Sequence, residues 1–456
     1  MTKQIQIALL VAASFFMEML DGTIITTALP KMAVDFNTNL STITLMISTY
    51  LVAVAVSIPL CGWLAQRYGK KRIWIIAVLI FTISSLGSTL APNLGILLVM
   101  RLLQGFSGAL MTPTGQLIVL QNTPPQQMLR MTSYLVWPSL IAPAIAPVIG
   151  GLIVTYWSWH WIFLINIPIG LIIAGLGVFV MENDDQDRKQ TPFDFVGFIE
   201  VGLASILLLV GAELATHGPV LMVVGLILVV LGIVFGWMVY RHLRTVSNPL
   251  FSVDAVKFPS FRIYQTGGSV FWITVAAMPY VMTMLLQTIF HWSAAKTGWY
   301  IIFIFIGNIG IKPFTSWIIN KLQFRGALLL SFWASIISSV CLAIIGPNTF
   351  GPWIMFLALI SGCGRSLALT AYNGINLIDI EPKERPSANT LIAVTRSLAQ
   401  GLGISLITVV INLFEQVVSN QMAFTLSFLF LALITVYPLI EVWVLPHDIG
   451  KEALTK

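Results

Sequence analysis

The feature that most constrains this chain is a series of long apolar runs that recurs from one end to the other. A helix that rises 1.5 Å per residue needs about 20 apolar residues to cross a bilayer core about 30 Å thick. About fourteen runs reach that length. Their approximate limits are 7–28, 43–65, 73–91, 94–120, 131–155, 161–180, 195–213, 219–240, 262–290, 297–320, 327–346, 351–378, 389–413 and 421–445. The sequence therefore predicts an all-α integral membrane protein.

Composition agrees with a chain that faces lipid rather than water. Hydrophobic residues make up 57% and charged residues 9% of the 456 residues, against roughly 45–50% and about 25% in soluble domains. So few charges cannot cover a water-exposed surface, and disordered chains are richer in charge and poorer in apolar residues. Three cysteines, Cys61, Cys341 and Cys363, lie far apart in apolar surroundings and are interpreted as packing residues.

The basic residues predict how the chain is oriented. Eighteen lysines and arginines fall in the loops on the side of the amino terminus, whereas the opposite loops hold only Lys31 and Lys296. An excess of lysine and arginine marks the cytoplasmic side of a membrane protein. We therefore expect a multi-pass protein of the cell (inner) membrane with both termini in the cytoplasm. This distribution also explains the net charge of +6 without a nucleic-acid partner.

Two polar stretches divide the spans into groups of six, two and six. They are Met181–Asp194 and Arg241–Ser260. We expect an N-terminal six-helix bundle at 1–180, a linker with two extra transmembrane helices at 181–260, and a C-terminal six-helix bundle at 261–456. Weak sequence similarities between the first and last six spans indicate repeats. Two repeated bundles are typical of transporters, whose substrate site lies near the bilayer midplane.

Ionisable side chains inside the spans mark a candidate site, because each costs about 2.5–3.5 kcal/mol to insert. Glu18 and Asp21 lie three residues apart, on one face of the first span. Arg101 falls at a similar depth in the fourth span, where it can pair with Asp21. A carboxylate that meets each side of the membrane in turn can carry a proton, and a moving arginine changes its proton affinity. We interpret these three residues as the proton-coupling group; a static ion pair that fixes helix packing is the alternative.

The fifth span carries two stripes of small residues and proline between Ala142 and Gly151. Small residues let helices approach closely, and each proline removes a backbone hydrogen bond. This pattern predicts a close-packed hinge, with ordinary tight packing as the alternative. The candidate gating residues, including those of the turn after the second span, are Pro143, Ala146, Pro147, Gly150, Gly151, Gly62, Arg67 and Gly69.

Polar, aromatic and basic residues within the spans are candidates for substrate binding. They are Gln116, Trp137, Tyr280, Gln287, Arg365, Tyr372, Asn373, Asn376 and Arg396. Interhelical hydrogen bonding explains the polar members equally well. Lys312 can extend to the membrane surface, whereas Arg365 lies too deep to do so easily. With more cations than anions, such a cavity favours anionic or zwitterionic substrates over dications.

The motifs of common enzymes are missing from the sequence. There is no phosphate-binding Gly-x-x-x-x-Gly-Lys-Ser/Thr loop, no His-Glu-x-x-His and no Gly-x-Ser-x-Gly. The five histidines fall at span ends or in loops without clustering. We therefore expect no enzyme activity, no metal and no cofactor, and an ion gradient as the source of energy for any active transport.

Five motifs resemble those of the drug:proton antiporter-2 branch of the major facilitator superfamily, which has fourteen helices. They occur in order in the first 170 residues, as Leu20–Pro30, Gly62–Arg72, Arg101–Gly108, Ala146–Gly151 and Trp159–Gly170. The resemblance implies proton antiport, with Asp21 and Arg101 as the coupling positions. Two residues depart from the pattern. Gln66 replaces an acid, which weakens a charge-based cytoplasmic latch, and Ala146 replaces a glycine.

Together these features predict a monomeric, proton-coupled exporter of small amphipathic molecules or drugs, which works by alternating access. Its partners would be the substrate, protons and the lipid bilayer. One alternative is export of an anionic metabolite, a siderophore or a metal chelate. An alternative from another class is a membrane receptor or sensor without net transport, although intramembrane carboxylates and a proline hinge argue against it.

Overall fold

The computed structural model describes residues 3–121, 123, 127–182, 192–246, 248–381 and 384–445. Residues 446–456 of the predicted last bundle and most of the polar stretch Met181–Asp194 lie outside these ranges. The described chain forms sixteen α-helices and no strand. They are α1 (Lys3–Ile24), α2 (Leu29–Asp35), α3 (Leu40–Tyr68), α4 (Lys70–Thr89), α5 (Leu94–Gln121), α6 (Met128–Tyr156), α7 (Trp161–Leu164), α8 (Asn166–Val180), α9 (Phe195–Leu214), α10 (Pro219–Thr245), α11 (Pro259–Met284), α12 (Ala294–Gly310), α13 (Lys312–Ala343), α14 (Gly351–Ile375), α15 (Arg385–Glu415) and α16 (Asn420–Val444).

Thirteen helical stretches of the described chain are long and apolar enough to cross a membrane. They match all the predicted spans except the tenth, 297–320, whose prediction as one continuous helix was wrong. The chain there forms α12, of 17 residues, and then the first part of α13. Pro313 stands at the start of α13, and proline starts a new helix more readily than it continues an old one.

A second break in this region lies inside α13. Gln323 has non-helical backbone angles (φ 61°, ψ 173°), so two helical pieces meet there. A comparable turn lies between α3 and α4, where Gly69 has φ 90°. Positive φ favours glycine, so Gly69 is the residue that permits this one-residue connection. Each of the two turns falls within a basic segment of the sequence, 67–72 or 321–326.

Lipid exposure explains why the apolar runs are so long. In the most apolar 18-residue stretch of α10, only 11% of the residues are buried. Large apolar side chains such as Val220, Leu226 and Ile233 are exposed on several faces of this helix. A helix that is hydrophobic all round and not covered by protein is stable only in lipid. The chain is therefore a multi-pass membrane protein.

The helices group into two compact units. The first comprises Met1–Val210 and Leu228–Leu250, and the second comprises Gly211–Ile227 and Phe251–Lys456. The chain therefore passes from one unit to the other within α9 and again within α10. In the first unit, α1 packs on α5, α6 and α8, and α5 also packs on α3 and α4. In the second unit, α14 packs on α12 and α13, while α11 packs on α15 and α16.

The ends of the extra helix pair are held by two acidic side chains. Asp194 accepts hydrogen bonds from the backbone N–H of Gly197 (2.8 Å) and of Leu250 (3.2 Å), and its other neighbour is the His242 ring (3.0 Å). Burial alone would raise the pKa of Asp194, but these hydrogen bonds hold that pKa below its ordinary value. Within the second unit, Glu213 is buried and accepts a hydrogen bond from Ser405 on α15 (2.8 Å).

Close backbone contact joins α12 and α14. A Cβ atom added to Gly307 would overlap the backbone of Leu359, and one added to Gly362 would overlap the backbone of Ile304. Two glycines thus face each other's helices, as is common where membrane helices approach closely.

We expect Gly307→Ala to lower the melting temperature of the purified protein by several degrees, because α12 must move away from α14. Gly310→Ala is the matched control: a Cβ there meets no atom within 4 Å, and alanine gains about 1 kcal/mol of helix propensity over glycine. Thermal unfolding followed by tryptophan fluorescence measures both variants. Equal melting temperatures for the two would mean that the contact contributes nothing.

Candidate functional site

A buried ion pair joins α1 to α5 in the first unit. Arg101 donates a hydrogen bond from Nη1 to Asp21 Oδ2 at 2.6 Å, and the two side chains are 1% and 0% exposed. The equal depth of these residues predicted this contact. Because removing two charges from water is costly, such a pair needs further hydrogen bonds to be stable.

Amide and hydroxyl groups from three other positions complete the hydrogen bonds of the pair. Asn166 of α8 donates to Asp21 Oδ1 (2.8 Å), and Gln104 donates to the same oxygen at 3.4 Å. Both amides also donate to Ser85 Oγ on α4, at 2.8 Å from Gln104 and 3.4 Å from Asn166. Arg101 donates in turn to Gln104 Oε1 (2.8 Å) and to the Met46 carbonyl (3.3 Å). Asp21 is thus bound by one cation and two amides.

Glu18 lies one helical turn away and is buried among hydroxyl groups. It accepts hydrogen bonds from Thr112 on α5 and from the Tyr50 hydroxyl on α3. The Arg101 guanidinium lies over the face of the Tyr50 ring, with Cζ 4.6 Å from the ring centroid. Tyr50 therefore contacts both Glu18 and the cation that pairs with Asp21. No sequence motif singled out this tyrosine.

The proposed hinge residues lie in a helix that is continuous from Met128 to Tyr156 despite three internal prolines. Ala146, Pro147, Gly150 and Gly151 are buried, and Pro143 is half-buried. A Cβ at Gly150 would overlap Ile24, the last residue of α1, and Thr27, which follows that helix. The small residues therefore allow α6 to pack tightly against the segment that carries Asp21.

The turn residues occupy the end of α3. Gly62 is exposed and has no atom near its Cβ position, and Gly69 provides the positive φ described above. Arg67 is exposed, with its guanidinium 5.2 Å from the Trp63 ring centroid and 5.9 Å from the Tyr68 ring centroid. No carboxylate is recorded within ion-pair distance of Arg67 in the described part of the chain.

The predicted substrate-binding residues differ in burial. Tyr280, Tyr372 and Asn376 are buried, and Tyr280 accepts a hydrogen bond from Thr408 (3.3 Å). Gln287 lies in the helical turn after α11 and is half-buried. The exposed members of the set are Gln116, Trp137, Asn373 and Arg396.

Three cations of the second unit have different surroundings. Lys312 donates to Thr370 Oγ1 at 3.2 Å. Arg396 lies over the Trp272 ring, with Cζ 5.4 Å from its centroid. Arg365 lies over the Phe305 ring (5.7 Å) and lines a cavity between helices of this unit.

Sequence reasoning found the charged residues and missed most of the neutral ones. Ser85 and Tyr50 escaped it because uncharged polar residues are too common in membrane helices to stand out. Gln104 and Asn166 lie within quoted motifs but were given no role. Among the described residues, no three His, Cys, Asp or Glu side chains are placed to hold a metal ion.

Comparison with known proteins identifies the family. A sequence profile of the Major Facilitator Superfamily matches residues 11–404. The chain belongs to this superfamily. It is 31% identical over 412 residues to the MdtD protein of Pectobacterium carotovorum subsp. carotovorum (strain PC1), covering 89% of this chain and 87% of the relative. It is 31% identical over 450 residues to MdtD of Escherichia coli O9:H4 (strain HS), covering 96% and 94%. Both relatives are named for multidrug resistance.

Solved structures of superfamily transporters share the fold. A POT family transporter in complex with 5-aminolevulinic acid matches with a TM-score of 0.71 at 16% identity, covering 99% of this chain and 97% of the other. The human organic anion transporter MFSD10 matches with a TM-score of 0.66 at 11% identity, covering 97% and 100%. The predicted fold class, an all-α protein of the major-facilitator type, is confirmed.

Proposed function

We propose that this chain is a proton-coupled exporter of small amphipathic molecules or drugs, which works by alternating access and leaves its substrate chemically unchanged. The observation that carries the proposal is the buried Asp21–Arg101 pair in a superfamily chain. Membership of the superfamily and two relatives named for multidrug resistance support the export of drugs.

The contacts of Asp21 support a specific coupling step. Adding a proton to Asp21 would leave the Arg101 charge uncompensated in a buried site, which is energetically costly. Protonation of Asp21 and its separation from Arg101 should therefore occur together. In this scheme the conformation described above is the one in which the proton has been released, and Glu18 is the second candidate for carrying it.

The proton gradient is large enough for this task. One proton that moves down a potential of about 150 mV releases about 3.5 kcal/mol, at about 2.3 kcal/mol per 100 mV. At about 1.4 kcal/mol per tenfold ratio, this sustains roughly a 300-fold gradient of a neutral substrate.

The assay that tests the function uses the purified chain in proteoliposomes. A pH difference should drive accumulation of a lipophilic dye, and adding the dye should in turn move protons. A receptor or sensor would bind the dye without either flux. Failure of both fluxes across a panel of neutral, cationic and anionic dyes would contradict the proposed function.

We propose that the chain lies in the cell inner membrane as a monomer, with both termini in the cytoplasm. The excess of basic residues in the loops of one side supports this orientation. We also propose that 1–180 and 261–456 form the two functional bundles and that 181–260 is a linker with two extra spans.

The orientation predicts which loops a membrane-impermeant maleimide reaches. We expect His217→Cys, between α9 and α10, to be labelled in intact cells. Asp254→Cys, between α10 and α11, should be labelled only after the cells are permeabilised. The two positions lie at opposite ends of α10, so they serve as controls for each other. The reverse pattern would invert the topology, and labelling of both in intact cells would remove α10 as a span.

A further inference from the structure

A small cavity lies wholly within the second unit. It is lined by side chains of α11, α12, α13, α14 and α16, and its volume is about 30 Å³. A space of roughly 10–15 Å³ holds one water molecule, so this cavity accommodates about two. That is also the size of one compact functional group, such as a carboxylate.

The charge that faces this cavity, on Arg365, has no counter-charge among the described residues. Within the described residues, Arg365 makes no ion pair and no hydrogen bond, and its recorded contact is the Phe305 ring. Arg101 of the first unit, by contrast, has Asp21, Gln104 and a backbone carbonyl as partners. An unpaired charge deep in a membrane protein is costly unless it has a function.

A hydroxyl group stands beside this cation. Ser361 lies one turn before Arg365 on α14, and both side chains line the cavity. No hydrogen bond of Ser361 is recorded in the described part of the chain, in contrast to Ser335, Ser339 and Thr435 of the cavity wall, which donate to backbone carbonyls. A guanidinium and a free hydroxyl thus provide two neighbouring donors, which is the arrangement that binds a carboxylate.

The other hydroxyl groups of the wall, on Thr274, Ser335, Ser339 and Thr435, donate to backbone carbonyls of their own helices. The apolar part of the lining comprises Phe271, Val275, Met278, Pro279, Ile304 and Leu431. An anion attached to an apolar body can contact these side chains, whereas a small hydrated anion must lose its water without that compensation.

We propose that this cavity is a binding subsite for the carboxylate group of an amphipathic substrate, held by Arg365 and Ser361. The substrate role rests on the proposed export function, but binding itself does not. The subsite gives the exporter a preference for anionic and zwitterionic cargo.

The test is calorimetric titration of the purified full chain in lipid nanodiscs with naphthalene-2-carboxylate. Neutral naphthalene-2-carboxamide is the matched ligand, and acetate is the matched anion. We expect the carboxylate to bind more tightly than either. Arg365→Gln should weaken carboxylate binding roughly ten- to hundredfold, as for loss of a hydrogen bond to a charged group. Ser361→Ala should weaken it by a smaller factor, and Arg365→Lys should retain part of it.

Lys321→Gln is the control variant, because it removes an exposed positive charge from the same unit. It should bind the carboxylate as the unmodified chain does. Unchanged carboxylate binding in Arg365→Gln, or an equal loss in Lys321→Gln, would overturn the proposal. So would binding of acetate as tight as that of naphthalene-2-carboxylate, which would identify a site for small free anions. If Arg365→Gln does not yield folded protein, Arg365→Lys and Ser361→Ala decide the result.

Binding needs no proton gradient, so the two proposals fail separately. Arg365-dependent binding without any coupled flux would preserve the subsite and contradict the export function. Coupled flux of a cationic dye without Arg365-dependent binding would preserve export and contradict the subsite.

Discussion

Asp21→Asn is expected to insert into the membrane and bind substrate, but to be unable to concentrate it when a pH difference is the sole driving force. Asparagine keeps the size of the side chain and one oxygen for Arg101, while it removes the titratable group. Arg101 retains Gln104, the Met46 carbonyl and the Tyr50 ring. Accumulation should fall from the ratio that the imposed pH difference sustains in the unmodified chain to no gradient. Substrate-induced proton movement and expression are measured in the same preparation.

The control for this prediction is Asp35→Asn, the same chemical change at an exposed position in α2 that pairs with Lys31. It should transport normally. If Asp21→Asn lost only expression or thermal stability and pumped with normal pH dependence, the pair would be a static packing element. If it retained full proton movement, Glu18→Gln would be the next variant. Intact coupling in both would exclude the first helix as the carrier.

Arg101→Met is expected to cause the largest loss of stability among single substitutions in this site. Removing one partner of a buried ion pair typically costs about 3–5 kcal/mol, because the other charge stays buried without compensation. Asp21 would keep only the two amides, Asn166 and Gln104, whose hydrogen bonds do not neutralise it. Thermal unfolding of the purified protein should therefore show a strongly lowered melting temperature.

The double variant Asp21→Asn/Arg101→Met identifies the cause of that loss. It removes both charges, so it should be more stable than Arg101→Met alone. The difference between its stability change and the sum of the two single-variant changes gives the coupling energy of the pair. A double variant as unstable as the sum of the two single variants would show that the residues act independently. The loss would then come from side-chain packing around Arg101.

Hydropathy predicted most of the fold because the bilayer sets the length of every span. Where the prediction was wrong, at 297–320, the residues are as apolar as elsewhere, and the helix break comes from backbone chemistry at Pro313. A window that averages apolarity does not detect such a break. The positive φ of Gln323 was equally invisible, since glutamine carries no preference for that conformation.

The candidate site was predictable only as far as charge made it visible. Asp21, Glu18 and Arg101 are conspicuous because charged residues are rare in membrane spans. Their partners Asn166 and Ser85 lie on other helices and carry no such signal. The substrate candidates were chosen by residue type alone, so the set mixed buried groups such as Tyr372 with exposed ones such as Asn373. Arg365 stood out because of its depth in the membrane. The cavity beside it could not be predicted, because it is formed by the packing of five helices.

The hydrogen bonds around Asp21 have a consequence for how a single charge acts at a distance. Through its direct partners and theirs, this carboxylate is connected to α1, α3, α4, α5 and α8. In the scheme proposed above, a proton bound to one oxygen atom of Asp21 would change hydrogen bonds that connect five helices, so no sequential relay along one helix would be needed.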